Sequence, residues 1–152
     1  MSCLTWFSVV DLRHMFTRPV KDMHHRVLNR TPRPADVAEL KAVREYLHNR
    51  MVGIAASDGI DLKDEVVDDR LSLVSECDQG IWHVNSSYMT GVYNFMGAGT
   101  EVAFGPSVYV LPEGHALFLS GEKRGIACTH RSPASKDPRM LIVSELRFDK
   151  KS

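Results

Sequence analysis

The sequence predicts an α+β fold with a helical N-terminal half and a mixed or antiparallel β-sheet in its C-terminal half. Apolar residues recur at roughly helical spacing up to residue 69 and alternate at strand spacing from residue 70 onward. Turn signals that contain glycine and proline separate most of the later apolar runs, as they do between strands. The length of 152 residues predicts a single domain over 1–152, with a mainly helical part at 1–69 and a β-rich part at 70–148.

The balance of charge excludes some classes of partner. Lys plus Arg and Asp plus Glu number 19 each, so the formal net charge is zero. A nucleic-acid or membrane-surface binder needs a basic excess, so neither partner is indicated. The three cysteines form no CxxC pair, which favours reduced thiols over a disulfide framework. No run reaches the ~18 apolar residues that a membrane span needs, so we expect a soluble, intracellular, cytoplasmic protein.

Three helices are expected before residue 57. Residues 4–16 carry apolar side chains at spacing closer to helical than to alternating, and Pro19 ends that segment. A second, short helix is expected over 20–28. The strongest helical pattern covers 35–56, and its apolar stripe is expected to pack on the sheet. The residues of that stripe are Val37, Leu40, Val43, Tyr46, Leu47, Met51 and Ile54.

The acidic segment 61–69 follows the third helix. It contains five carboxylates and is expected to form a short exposed helix or an acidic loop. It lacks the glycine-centred pattern of a calcium loop, which favours solvated carboxylates over a metal site.

Strands are expected throughout the second half. The segment 86–99, rich in glycine and aromatic residues, is expected to be a flexible connection that lies beside a ligand cleft. The last strand is strongly apolar at its start, which makes the carboxylate of Glu145 unusual there, because unpaired acids are rarely buried. The predicted strands are 70–76, 81–85, 100–104, 108–111, 116–120, 125–129 and 140–148.

Three short strings in the second half resemble the ADP-ribosyltransferase fold. They are W-H at 82–83, F-G-P-S-V-Y-V at 104–110, and S-E-L at 144–146, after an apolar run. The similar branch contains the poly(ADP-ribose) polymerases and diphtheria toxin, whose strands carry a His-Tyr-Glu triad. The resemblance covers residues 80–148 and none of the N-terminal part.

The resemblance implies an enzyme that uses NAD as a substrate and transfers ADP-ribose to a macromolecular target. His83 would hydrogen-bond the nicotinamide-side ribose, Tyr109 would stack on the nicotinamide ring, and Glu145 would bind a ribose hydroxyl. A fixed carboxylate and an aromatic face stabilise the positive charge that develops as the glycosidic bond breaks. The implied NAD-binding residues are His83, Val84, Asn85, Phe104, Gly105 and Tyr109.

Departures from the family motif leave structural roles open for the same residues. Val84 and Ser107 stand where the family has glycines. His83 also suits a core or rim position, Tyr109 suits packing, and Glu145 suits an ion pair with a basic neighbour. The alternative function is a non-catalytic interaction or assembly factor, such as a viral or accessory protein. It would bind a partner protein through its N-terminal helices.

A metal or thiol site is considered at Cys128 and His130. With Cys77 these residues would give a partial zinc set, but zinc needs four ligands or an open catalytic geometry, so no metal is expected. As a nucleophilic pair, Cys128 and His130 lack an identifiable orienting partner.

Overall fold

Two antiparallel β-sheets face each other, and two helices belong to the N-terminal part of the chain. The computed structural model describes residues 6–61, 63, 65–74 and 78–148. The helices are α1 (Val20–Leu28) and α2 (Pro34–Ser57). The strands are β1 (Phe7–Asp11), β2 (Glu65–Val74), β3 (Met89–Met96), β4 (Glu101–Phe104), β5 (Ser107–Val110), β6 (His115–Ser120), β7 (His130–Arg131) and β8 (Arg139–Phe148).

Strands distant in sequence are neighbours in both sheets. The larger sheet has the order β1-β6-β3-β8-β2, and the smaller sheet has the order β5-β4-β7. Every described strand pair is antiparallel. An isolated bridge between His83 and His130 places the segment before β3 against β7. This arrangement closes the two sheets over a shared interior.

Strand β8 shows how the larger sheet divides two cores. Met140, Ile142 and Leu146 belong to the core that contains the buried side chains of α2. Leu141 and Val143 alternate with them and belong to a second core, which also contains residues of the smaller sheet. Because successive side chains of a strand point to opposite faces, β8 buries apolar side chains on both of its faces.

Helix α2 packs its apolar face on β3 and β8. This confirms the expected packing, and the buried residues include Leu40, Val43, Leu47 and Met51. Val37 is 53% exposed, so its inclusion in the stripe was wrong. Gly91 allows the close approach of helix and sheet, since a Cβ atom there would lie 3.4 Å from Leu47 and 3.3 Å from Phe118.

A buried carboxylate ties α1 to α2. Asp36 is fully buried and accepts hydrogen bonds from Arg26 at 2.7 Å and from Arg18 at 3.0 Å. It also accepts the backbone N–H of Arg33 at 2.8 Å, at the start of α2. These donors hold the pKa of the Asp36 carboxyl well below its usual range, Arg26 contributing most. The helix start is thus fixed by charge as well as by Pro34.

The predicted α+β fold with a helical N-terminal half is wrong. Strand β1 precedes both helices, and β2 begins within the segment that was expected to be an acidic helix or loop. The described part of 4–16 starts with β1 rather than a helix. Most of β1 is partly buried, so its apolar residues do not alternate cleanly with polar ones.

The expected flexible connection at 86–99 is also wrong, because it contains β3, the central strand of the larger sheet. Helix 20–28 is confirmed, and helix 35–56 and the strands 100–104, 108–111, 116–120 and 140–148 are confirmed to within a residue or so at each end. The strand predicted at 125–129 lies slightly later, as β7, and 81–85 contains only the His83 bridge. Neither of the described helices combines the length and apolar character that crossing a lipid bilayer would need.

Candidate functional site

A cavity of about 220 Å³ opens between the two sheets. Strands β3 and β8 of the larger sheet form one wall, β7 and the segment around His83 form the opposite wall, and β2 lies at the edge. The side chains around it are mostly polar, in contrast to the apolar interior next to β1 and β6. The lining residues are Arg70, Ser72, His83, Asn85, Thr90, Val92, Thr100, His130, Arg131, Ser132, Arg139, Leu141 and Val143.

His83 and His130 meet in this cavity because their backbones pair. The His83 N–H donates to the His130 carbonyl at 3.0 Å, and the His130 N–H donates to the His83 carbonyl at 2.9 Å. The two ring centroids are 4.4 Å apart. His130 is buried and His83 is exposed, so the pair extends from the interior toward solvent.

The hydrogen bonds at Nδ1 of the two rings determine which nitrogen atoms can bind a ligand. Nδ1 of His83 lies 2.9 Å from the Ile81 carbonyl oxygen, and Nδ1 of His130 lies 3.0 Å from the Cys128 carbonyl oxygen. A carbonyl oxygen only accepts, so each Nδ1 carries the proton and each Nε2 keeps its lone pair. Metal-binding histidines are held in this way, with one nitrogen donating to a carbonyl group.

Burial keeps His130 in the neutral form that binds metals. It lowers the pKa of His130, and the neighbouring His83 lowers it further. A neutral imidazole is the metal-binding form, so little proton release is needed at neutral pH.

Asn85 supplies a third polar group, two residues after His83. Its Nδ2 donates to Thr90 Oγ1 at 2.6 Å, which leaves its Oδ1 as the available acceptor.

No carboxylate lines the cavity among the described residues. In that part of the chain, no group of three His, Cys, Asp or Glu side chains is arranged to hold a metal.

The three groups together fit a divalent metal ion as a set of neutral donors. In donor type, two imidazole nitrogens and one oxygen correspond to the two histidines and one carboxylate that hold non-haem iron, with an amide oxygen in place of the carboxylate. The fit depends on the two free Nε2 atoms, which the hydrogen bonds of His83 and His130 orient.

Arginine side chains form part of the cavity lining. Arg139, at the start of β8, is 2% exposed, and its Nε donates to the Ala98 carbonyl at 2.6 Å. Arg70 lies opposite Val143 on the edge strand β2. Guanidinium groups bind carboxylates with paired N–H donors, so this lining suits a small carboxylate ligand.

Arg131 is engaged outside the cavity as well. Its Nε donates to Glu101 at 2.9 Å, and its guanidinium carbon lies 4.1 Å from the centre of the Trp82 ring. The charge of Arg131 is therefore compensated by Glu101, and Trp82 lies next to the site.

The structure separates the residues of the predicted triad. His83 lines the cavity, but Tyr109 and Glu145 do not. Tyr109 packs on Phe7, with ring centroids 5.6 Å apart, and burial raises its pKa. Glu145 lies opposite Thr90, on the face of β8 that carries Leu141 and Val143, and outside the lining.

The other residues of the predicted NAD set are dispersed. Asn85 lines the cavity, and Val84 is half-buried beside it. Phe104 and Gly105 are exposed at the β4–β5 turn, where Gly105 has a φ of 58°. The F-G-P-S-V-Y string is thus a hairpin of the smaller sheet.

The structure also describes the thiol of Cys128, which was considered together with His130. Cys128 is fully buried, and burial raises the pKa of its thiol to about 11, which makes it a poor nucleophile. Cys77 lies outside the described residues. Sequence reasoning paired His130 with Cys128 and overlooked Arg70 and Arg139. The sequence signal for this cavity was the H-x-N string at 83–85, together with His130 and the Arg139 that follows it nine positions later.

Two solved structures share the fold of this chain. One is described as a dioxygenase for auxin oxidation from rice, with a TM-score of 0.58, 18% identity and coverage of 93% of this chain. The other is a full-length Neurospora crassa protein in complex with alpha-KG, with a TM-score of 0.53, 14% identity and coverage of 99% of this chain. The chain has a jelly-roll fold. It spans 55% of the rice protein and 56% of the Neurospora protein. No family model and no curated protein matches the sequence.

The resemblance to ADP-ribosyltransferases is therefore wrong, as is the transfer of ADP-ribose from NAD. The string at 104–110 lies on the smaller sheet, S-E-L lies on the larger sheet, and W-H lies at the isolated bridge. The expectation of an NAD site without a metal is wrong as well, and the cavity instead presents metal donors beside arginines. The comparisons do not support the assembly-factor alternative either. Partner binding through the N-terminal helices stays a prediction.

Proposed function

We propose that this protein is a non-haem metal-dependent oxygenase of the 2-oxoglutarate type. Its metal ion would be held by His83, His130 and Asn85, and its 2-oxo dicarboxylate by Arg139 and Arg70. The observation that carries the proposal is the pair of histidines whose Nδ1 atoms are bonded to carbonyl groups, in a cavity that also contains a buried arginine. The fold supports it, since one neighbour is described as a dioxygenase and the other is in complex with alpha-KG.

Each residue has a distinct task in this proposal. A bound ferrous ion would supply the activation of dioxygen. The Nδ1 hydrogen bonds of His83 and His130 leave both Nε2 atoms to bind the ion, and backbone pairing holds the two rings 4.4 Å apart. The hydrogen bond from Asn85 Nδ2 to Thr90 Oγ1 holds the amide and leaves Oδ1 as the third ligand atom.

The remaining lining binds and orients the dicarboxylate. Arg139 is rigid because it is buried and its Nε is bonded to Ala98, so its guanidinium offers a fixed docking point for one carboxylate. The apolar side chains of Val92, Leu141 and Val143 exclude water from the wall beside it. Exclusion of water strengthens an arginine–carboxylate interaction.

Decarboxylation of 2-oxoglutarate, which is the same compound as alpha-KG, to succinate tests the proposal. The assay measures succinate released from alpha-KG by the purified chain with ferrous iron and ascorbate in air. Wild-type protein should release succinate, and His130→Ala and Arg139→Gln should each lower the rate at least ~100-fold, the range for loss of a positioned group. Glu145→Gln is the matched control, because Glu145 lies on the same strand outside the cavity. Equal rates in wild type and His130→Ala would refute the proposal.

A second function is favoured by the absence of a carboxylate from the described lining and by the presence there of Arg70 and Arg139. In this alternative the cavity binds a small dianion without a metal. Alpha-KG binding that persists in EDTA and in His83→Ala, but is lost in Arg139→Gln, would select it over the oxygenase.

A further inference from the structure

We infer that the metal ion and its dianionic ligand bind this cavity as an interdependent pair, and that Asn85 creates this dependence. The inference rests on the proposed function and specifies how its site is loaded. Its basis is the number of charges around the cavity.

The donor set carries no negative charge. His83 and His130 offer imidazole nitrogens, and Asn85 offers an amide oxygen, none of which is an anion. The usual set for non-haem iron contains one carboxylate, which offsets half of the charge of a divalent ion. Here the whole double charge of the ion is left for other groups to offset.

Two arginine side chains lie beside the donor set. Arg70 and Arg139 both line the cavity. The carboxylate of Glu101 pairs with Arg131, which also lines the cavity. Among the described residues, Glu145 is an acid on the same face of β8 as the lining residues Leu141 and Val143, but it lies outside the lining.

Like charges in a partly buried site repel strongly, since the effective dielectric constant is low. A divalent ion alone therefore binds weakly beside the arginines. A dicarboxylate supplies two negative charges, which offset the double charge of the ion. By linkage, the dicarboxylate tightens metal binding by the same factor by which the metal tightens dicarboxylate binding.

Asn85 sets the size of this coupling. In Asn85→Asp a carboxylate of nearly the same shape adds one negative charge to the donor set. The variant should bind the metal alone, and the dicarboxylate should then have a smaller effect on metal affinity. Asn49→Asp is the matched control, because Asn49 is exposed on α2 and makes the same chemical change outside the cavity.

Calorimetric titration with Mn²⁺, a redox-stable probe, tests the inference. Each protein is titrated alone, with saturating 2-oxoglutarate, and with its neutral dimethyl ester, after subtraction of Mn²⁺ binding to the acid in buffer. Wild type and Asn49→Asp should bind Mn²⁺ on the order of 5–150-fold more tightly with 2-oxoglutarate, the usual range of coupling between sites. The ester should have no effect, and Asn85→Asp should bind Mn²⁺ without either compound.

The outcomes separate the inference from the proposed function. If wild type binds Mn²⁺ equally well with and without 2-oxoglutarate, the inference fails and the metal site stands. If neither wild type nor Asn85→Asp binds Mn²⁺ under any condition, while circular dichroism shows both folded, the proposed metal site fails too.

Discussion

His83 and His130 are joined by reciprocal backbone hydrogen bonds of 3.0 and 2.9 Å, and their rings lie 4.4 Å apart. The pairing of extended backbone therefore positions both imidazoles at once. A site built on paired backbone is more precise than one carried by free loops, because each side chain inherits its direction from the sheet.

The buried histidine predicts a pH dependence of stability. Burial lowers the pKa of His130 below its ordinary value of 6.5, so the unfolded chain takes up a proton at a higher pH than the folded protein does. The contribution of His130 to the free energy of unfolding is therefore greatest above about pH 6.5. It falls as the pH drops below that value, and the loss ends below the lower pKa of the folded state.

Denaturant unfolding between about pH 7.5 and 5.5 measures this effect. The decline should be smaller in His130→Gln than in wild type. Burial lowers the pKa of His24 as well, so His24→Gln is the comparison variant. It should keep the part of the pH-dependent loss of stability that is due to His130. An unchanged decline in His130→Gln would show that His130 is not responsible.

Leu47 should be a major contributor to the helix–sheet core. It is fully buried between α2 and β3, next to Phe118. Leu47→Ala should lower the free energy of unfolding by about 2–5 kcal/mol, because it removes apolar contacts and leaves a cavity. Val37→Ala, on the same helix but 53% exposed, should change it by less than about 0.5 kcal/mol. Chemical denaturation compares the two, and equal effects would contradict the observed face of α2.

Two glycines should respond in opposite directions to alanine. A Cβ atom at Gly99 would lie 1.9 Å from the Leu111 carbonyl oxygen, whereas one at Gly53 in α2 would meet nothing within 4 Å. Gly53→Ala should raise the free energy of unfolding by about 0.5–1 kcal/mol through helix propensity. Gly99→Ala should lower it by about 1–3 kcal/mol or more. Melting temperatures that move in the same direction would refute the contrast.

The sequence predicted elements best where one face is clearly apolar. The stripe of Leu40, Val43, Leu47 and Met51 identified α2, because this helix buries one side only. Strand β3 was missed, since it is buried almost throughout and therefore lacks an alternating pattern, and Gly91 resembles a loop residue. The close contact of Gly91 with Leu47 explains that glycine only once the helix is in place.

The candidate site was recoverable only in part. His83 and Asn85 were selected, but for a different chemistry. The partner of His83 is His130, and only the strand pairing brings the two together. Arg70 reaches the cavity because β2 pairs with β8, a long-range contact that local patterns do not encode. Tyr109 and Glu145 matched a motif by residue type, and packing placed both outside the cavity.

The position of a bound metal tests the central claim most directly. The measurement is the anomalous difference density of crystals grown with Zn²⁺, an inert probe, and alpha-KG. The proposed site predicts one strong peak at about 2.0–2.1 Å from Nε2 of both His83 and His130. Asn85 Oδ1 should be the third protein ligand, and alpha-KG should contact Arg139. Alpha-KG bound at Arg139 with no metal peak beside the two histidines, or a peak elsewhere on the chain, would contradict the claim.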